Sequence, residues 1–155
     1  MKRILFLDTS ALAKLYLEEA GREDVQGAVN NADEVAVCAI AWTEMCSLLA
    51  RRDREKTLTA LERKQVLYTL EADFSQLRIV QVDEALTRHA GTLTHSFALR
   101  ALDVLQLAAV LELKPLGEVE FLTFDLKLLE GAQNALGQTH WDKRIETAEL
   151  NCSSE

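Results

Sequence analysis

The chain is poor in residues that break or staple a polypeptide. One proline, Pro115, and six glycines in 155 residues argue against disorder. Three cysteines, Cys38, Cys46 and Cys152, are odd in number and lack CxxC spacing. A disulfide frame or a structural zinc site is therefore not expected. Cys38 and Cys46 read as small apolar core filler, and Cys152 as exposed in a polar tail. Long apolar runs are missing too. The first one, Ile4 to Leu7, has four residues, against about 7–15 for a secretory signal and about 20 for a membrane helix. The expectation is a cytoplasmic chain with no membrane partner. Repeats at solenoid spacing and low-complexity segments are also lacking.

Positive charge is scarce, with a formal net charge of −8. Taken alone, that counts against nucleic-acid binding, which usually rests on Lys and Arg. Either the partner is not a polyanion or the acid is concentrated where cations bind. Histidine is also sparse. His89 and His95 are six apart and share no helix face, and His140 is isolated. No histidine is placed as a general base, so a metal-bound water is the better candidate nucleophile.

What is present is 48% hydrophobic, enough for one core, and it is patterned. Ile4–Leu7, Glu34–Cys38, Leu77–Val82 and Val119–Thr123 read as strands. Between them, helices are predicted over Ala11–Glu19 (ended by Gly21), 22–31, Ala41 to about Arg54, 57–73, Asp83–Phe97 and Ala101–Leu113. Pro115 and Gly117 close the last of these, and a short helix starts at Leu126. His140-Trp141 reads as a short edge strand. Nearly all of Ala101–Leu113 is apolar, which marks a buried helix. Strands alternating with helices predict a mostly parallel sheet in a three-layer α/β/α sandwich. One domain over 1–148 and a disordered tail over 149–155 are expected.

In such sheets ligands bind beyond the carboxyl ends of the strands. Asp8 follows the first strand and Asp125 the fourth. Asp103 lies in the first turn of the apolar helix, behind Arg100-Ala101-Leu102, which also reads as helical. Glu44 lies early in the helix after the second strand. Each acid has an ordinary reading. Asp8 and Asp125 could cap helices, Asp103 to Gln106 resembles a capping box, and Glu44 could be a solvated charge. Together, four carboxylates near one edge suit a hard cation. Mg²⁺ takes oxygen ligands, and two such ions about 4 Å apart could activate a water and stabilise a leaving oxygen. Bound cations would also draw in a phosphate backbone despite the net charge.

These segments resemble a known family. Asp8-Thr9-Ser10-Ala11-Leu12-Ala13-Lys14-Leu15-Tyr16, Trp42-Thr43-Glu44-Met45, Leu99 to Ala108 and Leu122-Thr123-Phe124-Asp125 are similar to the acidic segments of PIN-domain proteins. They most resemble the toxin ribonucleases of VapBC-type toxin–antitoxin pairs, over roughly residues 3–130. The resemblance implies Mg²⁺- or Mn²⁺-dependent cleavage of RNA, an antitoxin that blocks the site, and frequent homodimers. By position, it makes Asp8 and Asp103 the principal metal ligands and has Glu44 and Asp125 complete the pocket. Ser10 and Thr123 become hydroxyls that support them. The family often has histidine where this chain has Gln106.

Other features have two readings. The basic stretch Arg51 to Lys56, with Arg63 and Lys64, could grip RNA, but a solvated helix junction is favoured. Lys14 could touch a phosphate or simply be exposed. Trp42 and Trp141 read as core or interface, and the 57–73 helix could face a dimer partner, an antitoxin or the core. Two other functions remain open. An aspartyl phosphoryl-transfer enzyme would use Asp8 as nucleophile, but the phosphatase pattern has an acid where Ser10 stands. A receiver would need paired acids before its first helix and a lysine at a late strand end, and neither is found. A non-catalytic PIN-fold interaction module would have no reason to keep four acids.

Overall fold

The computed structural model describes residues 1–136. The expected strand at His140-Trp141, Cys152 and the tail 149–155 lie outside the described residues. Four strands are seen among them: β1 (Arg3–Leu7), β2 (Glu34–Cys38), β3 (Arg78–Val80) and β4 (Glu118–Leu122). They form one fully parallel sheet in the order β3-β2-β1-β4. The helices are α1 (Thr9–Lys14), α2 (Arg22–Asn31), α3 (Ile40–Arg54), α4 (Ala60–Phe74), α5 (Glu84–Leu93), α6 (Ala101–Leu113) and α7 (Leu126–Leu136).

Alternation along β1 assigns the layers. Ile4 and Phe6 point into a core with α5, α6 and α7. Leu5 and Leu7 point the other way, into a core with α1, α2, α3 and α4. A strand covered on both faces has no polar side to show, which is why it reads as one apolar run. The result is the expected three-layer sandwich. β1 lies between β2, which follows it, and β4, which arrives from the far end of the chain. The order reverses there, so the crevice beyond β1 and β4 is where such a sheet binds ligands.

Several element ends differ from expectation, each for a local reason. α1 stops at Lys14 because the chain turns to bury Leu17. Gly21 does not end α1. It precedes α2 at φ +92°, a left-handed conformation that favours glycine. α4 starts at Ala60, because Thr59 and Glu62 form a reciprocal capping box. β3 has three residues, matched only by Ala36–Cys38. α5 ends at Leu93, where Thr92 and Thr94 hydroxyls bond to carbonyls of the preceding turn. β4 ends one residue early, freeing Thr123 for the site.

α6 has the expected bounds, but its first turn is not buried. Arg100 is an extended N-cap rather than part of the helix. Ala101 and Leu102 are exposed, and burial begins at Val104. Asp103 therefore stands at the mouth of the apolar helix, not inside it. No helix among the described residues is long and apolar enough to cross a membrane.

Candidate active site

Asp8 caps α1 from the end of β1. Its Oδ1 accepts from the Ala11 N–H at 2.9 Å and from Ser10 Oγ at 2.7 Å. Its Oδ2 accepts from Thr123 Oγ1 at 2.5 Å. The two hydroxyls reach further. Ser10 Oγ accepts from the Phe124 N–H at 2.9 Å, and Thr123 Oγ1 from the Asp125 N–H at 3.0 Å. Ser10 and Thr123 therefore tie the end of β1 to the segment leaving β4, which carries Asp125. Asp8 thus caps α1, and the same side chain is tied to the end of β4 through Thr123.

Asp8 is only 4% exposed and has no cationic partner among the described residues. Burial pushes its carboxyl up to about 6, against the lowering effect of its three hydrogen bonds. The negative charge of Asp125 adds to the rise. Asp103 is raised as well, first by partial burial and then by Asp125. The Arg100 guanidinium, 3.6 Å from the Asp103 carboxylate, opposes that shift. Asp125 caps α7, accepting from the Lys127 and Leu128 N–H groups at 3.0 and 3.2 Å. The negative charge of Asp125 thus acts on both Asp8 and Asp103 and makes each of these two harder to ionise.

Glu44, in the second turn of α3, faces the same crevice through a different contact. Its Oε1 accepts from Thr9 Oγ1 at 2.8 Å and from Gln106 Nε2 at 3.0 Å. Gln106 Nε2 also lies 3.3 Å from Thr9 Oγ1. Sequence reasoning missed this link and left Gln106 without a role. The available signal was a lone amide within the apolar run of α6.

An open groove of about 440 Å³ starts at this cluster and runs along α3, lined by Thr9, Glu44, Thr43, Ser47 and Arg51 with Leu102 opposite. Thr43, Ser47 and Arg51 are four residues apart and exposed, so they share one helix face. The basic stretch divides in two. Arg52 pairs with Glu19, and Arg63 with Asp53 at 2.9 Å. Arg51 has no ion pair among the described residues and lies in the groove. Lys14 is neither exposed nor free for a phosphate. Its Nζ sits 4.3 Å from the centre of the Phe124 ring and 3.4 Å from Glu19. Trp42 packs edge-on against Phe74, with ring centres 5.5 Å apart. Cys38 is buried and Cys46 partly so; burial raises the Cys38 thiol. On α4, Leu70 enters the core while Leu61 and Tyr68 are exposed.

Among the described residues, no three Asp, Glu, His or Cys side chains stand close enough to hold an ion between them. That excludes a preformed all-protein cage here. It does not conflict with Mg²⁺ or Mn²⁺ as hydrated ions, since Mg²⁺ is usually held by one or two carboxylates and several waters. The donor set fits such an ion. It is all oxygen, and it holds a buried carboxylate with no cation beside it.

The PIN domain family model matches residues 5–134. The chain belongs to the PIN-domain family. Solved structures with the same fold as this PIN domain include three toxin–antitoxin proteins. A toxin–antitoxin complex from Klebsiella pneumoniae aligns at TM-score 0.60 with 17% identity, covering 82% of this chain and 91% of that one. VapBC2 from Rickettsia felis, bound to a DNA fragment from its promoter, aligns at 0.58 with 14% identity, over 82% and 92%. VapC20 from Mycobacterium tuberculosis, a toxin that cleaves the sarcin–ricin loop, aligns at 0.63 with 17% identity, over 88% and 98%. Comparison of this PIN domain with the curated proteins gives no match.

Proposed function

We propose that this PIN domain is a Mg²⁺- or Mn²⁺-dependent endoribonuclease, the toxin of a type II toxin–antitoxin pair. The observation that carries the reading is Asp8. It is buried at the switch point of a parallel sheet, raised to about 6, and accompanied by Asp103 and Asp125 rather than by a cation. Such a site calls for a proton or a metal ion, and at neutral pH the ion is favoured.

Asp8 and Asp103 would be the principal ligands, with Asp125 and Glu44 completing the pocket. The divalent ion would act as a Lewis acid on the phosphodiester and lower the pKa of a water. The chain's own residues do the rest. Ser10 and Thr123 fix both oxygens of Asp8. The groove along α3 would take the RNA strand, with Thr43 and Ser47 hydroxyls and the unpaired Arg51 against phosphate oxygens. This supports an RNA strand there despite the net charge of −8, since an arginine with no ion pair among the described residues lies beside the site. The toxin reading rests on the fold shared with toxin–antitoxin proteins. An antitoxin partner and a homodimer belong to the same proposal.

The test is incubation of purified protein with a structured RNA, with and without Mg²⁺ or Mn²⁺. Cleavage that is lost in chelator and in Asp8→Asn is the expected result. Cleavage that persists in both overturns the metal site. A phosphorylated Asp8 would point to phosphoryl transfer instead. Inactivity under every condition would favour a non-catalytic interaction module.

A further inference from the structure

Gln106 occupies an expensive position. It is 2% exposed, in the stretch of α6 where Val104, Leu107, Ala108, Ala109 and Val110 are all buried. An amide there must find partners or be penalised. Its Nε2 finds Glu44 Oε1 and Thr9 Oγ1. Its Oε1 is buried and finds no partner among the described residues. The amide cannot be turned to improve this, since its oxygen would then face the carboxylate of Glu44. Leaving one buried acceptor unmade is unfavourable, and an apolar side chain of similar volume would avoid it. Fold stability alone does not account for a glutamine here.

The contact it makes joins the two helical layers. α6 belongs to one layer, α1 and α3 to the other. Thr9 of α1 and Gln106 of α6 converge on one carboxylate oxygen of α3, Oε1 of Glu44. Thr9 Oγ1, at 2.8 Å, donates to that same oxygen. No hydrogen bond among the described residues engages Oε2. Two donors on one oxygen fix the plane of the carboxylate and leave the other oxygen available.

We infer that Gln106, with Thr9, is a positioning residue for Glu44: the two donors clamp Oε1 so that Oε2 faces the divalent ion of the site. The inference rests on the metal-dependent reading above. It explains why a polar group stays in an apolar helix at the point where α6 passes α3. It also predicts a split between stability and metal binding that a structural glutamine would not give. Partners that orient a metal ligand typically contribute about 10–100-fold in metal affinity or activity.

The experiment is Mn²⁺ titration of the metal-free protein followed by electron paramagnetic resonance, with thermal melting of the same samples in chelator. For Gln106→Met the expectation is a melting temperature unchanged or raised and Mn²⁺ affinity weakened about 10-fold or more. Thr9→Val should also weaken Mn²⁺ binding, and Thr9→Ser, which keeps the hydroxyl, should restore it. This pair tests the clamp even if a change inside α6 perturbs folding. Wild-type Mn²⁺ affinity in both Gln106→Met and Thr9→Val overturns the positioning role alone. A wild-type protein without a Mn²⁺ site, or one whose site survives Asp8→Asn, overturns the reading beneath it.

Discussion

Asp8 and Asp83 are the same local device in two places. Each follows a strand and each caps the next helix in an extended conformation. Each accepts from the backbone N–H three residues on, Ala11 at 2.9 Å and Leu86 at 2.8 Å. Their surroundings differ. Asp83 follows β3, at the sheet edge, and is exposed. Asp8 follows β1, between two neighbouring strands, and meets Ser10, Thr123 and the field of Asp125. A cap is written by a few consecutive residues. A site is made by where the topology sets that cap down.

The sharpest way to break the comparison is to neutralise both. Asp8→Asn should lower RNA cleavage roughly 10³-fold, since a Lewis acid contributes several kcal/mol and each decade of rate is about 1.4 kcal/mol. Equal losses in Asp8→Asn and Asp83→Asn would erase the distinction. Asp103→Asn comes next, with a loss of roughly 10²-fold in a protein that melts normally. The grounds are its coupling to Asp125 rather than burial in a helix. Full activity with an unchanged metal requirement would remove it from the site.

Arg51→Ala should weaken kcat/KM by roughly 10-fold, the scale of one charged hydrogen bond. Losing one phosphate contact should also flatten the dependence of log kcat/KM on log salt by about 0.7. An unchanged salt slope would make the groove a bystander. The pH effect is smaller. The Asp8 carboxyl is easier to protonate in the folded chain than its ordinary 3.8 allows. Its contribution to stability is complete below that value and is lost as pH rises through about 6. Of about 3 kcal/mol in all, about 1 kcal/mol should vanish between pH 5 and 7 in chelator, as read by denaturant melts. Asp8→Asn should remove that slope, and its persistence would assign it to another group. Smallest of all, Asp83→Ala should cost about 1 kcal/mol as a lost cap and leave cleavage untouched.

Much of the fold was legible because it is local. The β2 and α6 boundaries follow from apolar runs bounded by charge, turn residues or proline. Asp8 and Asp125 could be placed at one sheet edge because each stands just past a strand. The rest depended on contacts between distant residues. Glu44 and Gln106 are 62 positions apart, and no spacing rule joins them. The exposed first turn of α6 was hidden because apolar letters at a helix mouth look like those inside it. Arg51 could be told from Arg52 and Arg63 only when their acidic partners came into place.

Phe124 gives one more consequence. Its N–H is held by Ser10, its ring lies under the Lys14 ammonium, and a Cβ at Gly21 would come within 2.9 Å of that ring. The aromatic is thus wedged between the α1–α2 bend and the residues that flank Thr123 and Asp125. A side chain added at Gly21, well away in sequence from Asp8, Glu44, Asp103 and Asp125, would press on the pocket through this ring. In a genetic screen, such a lesion would look like a catalytic mutant.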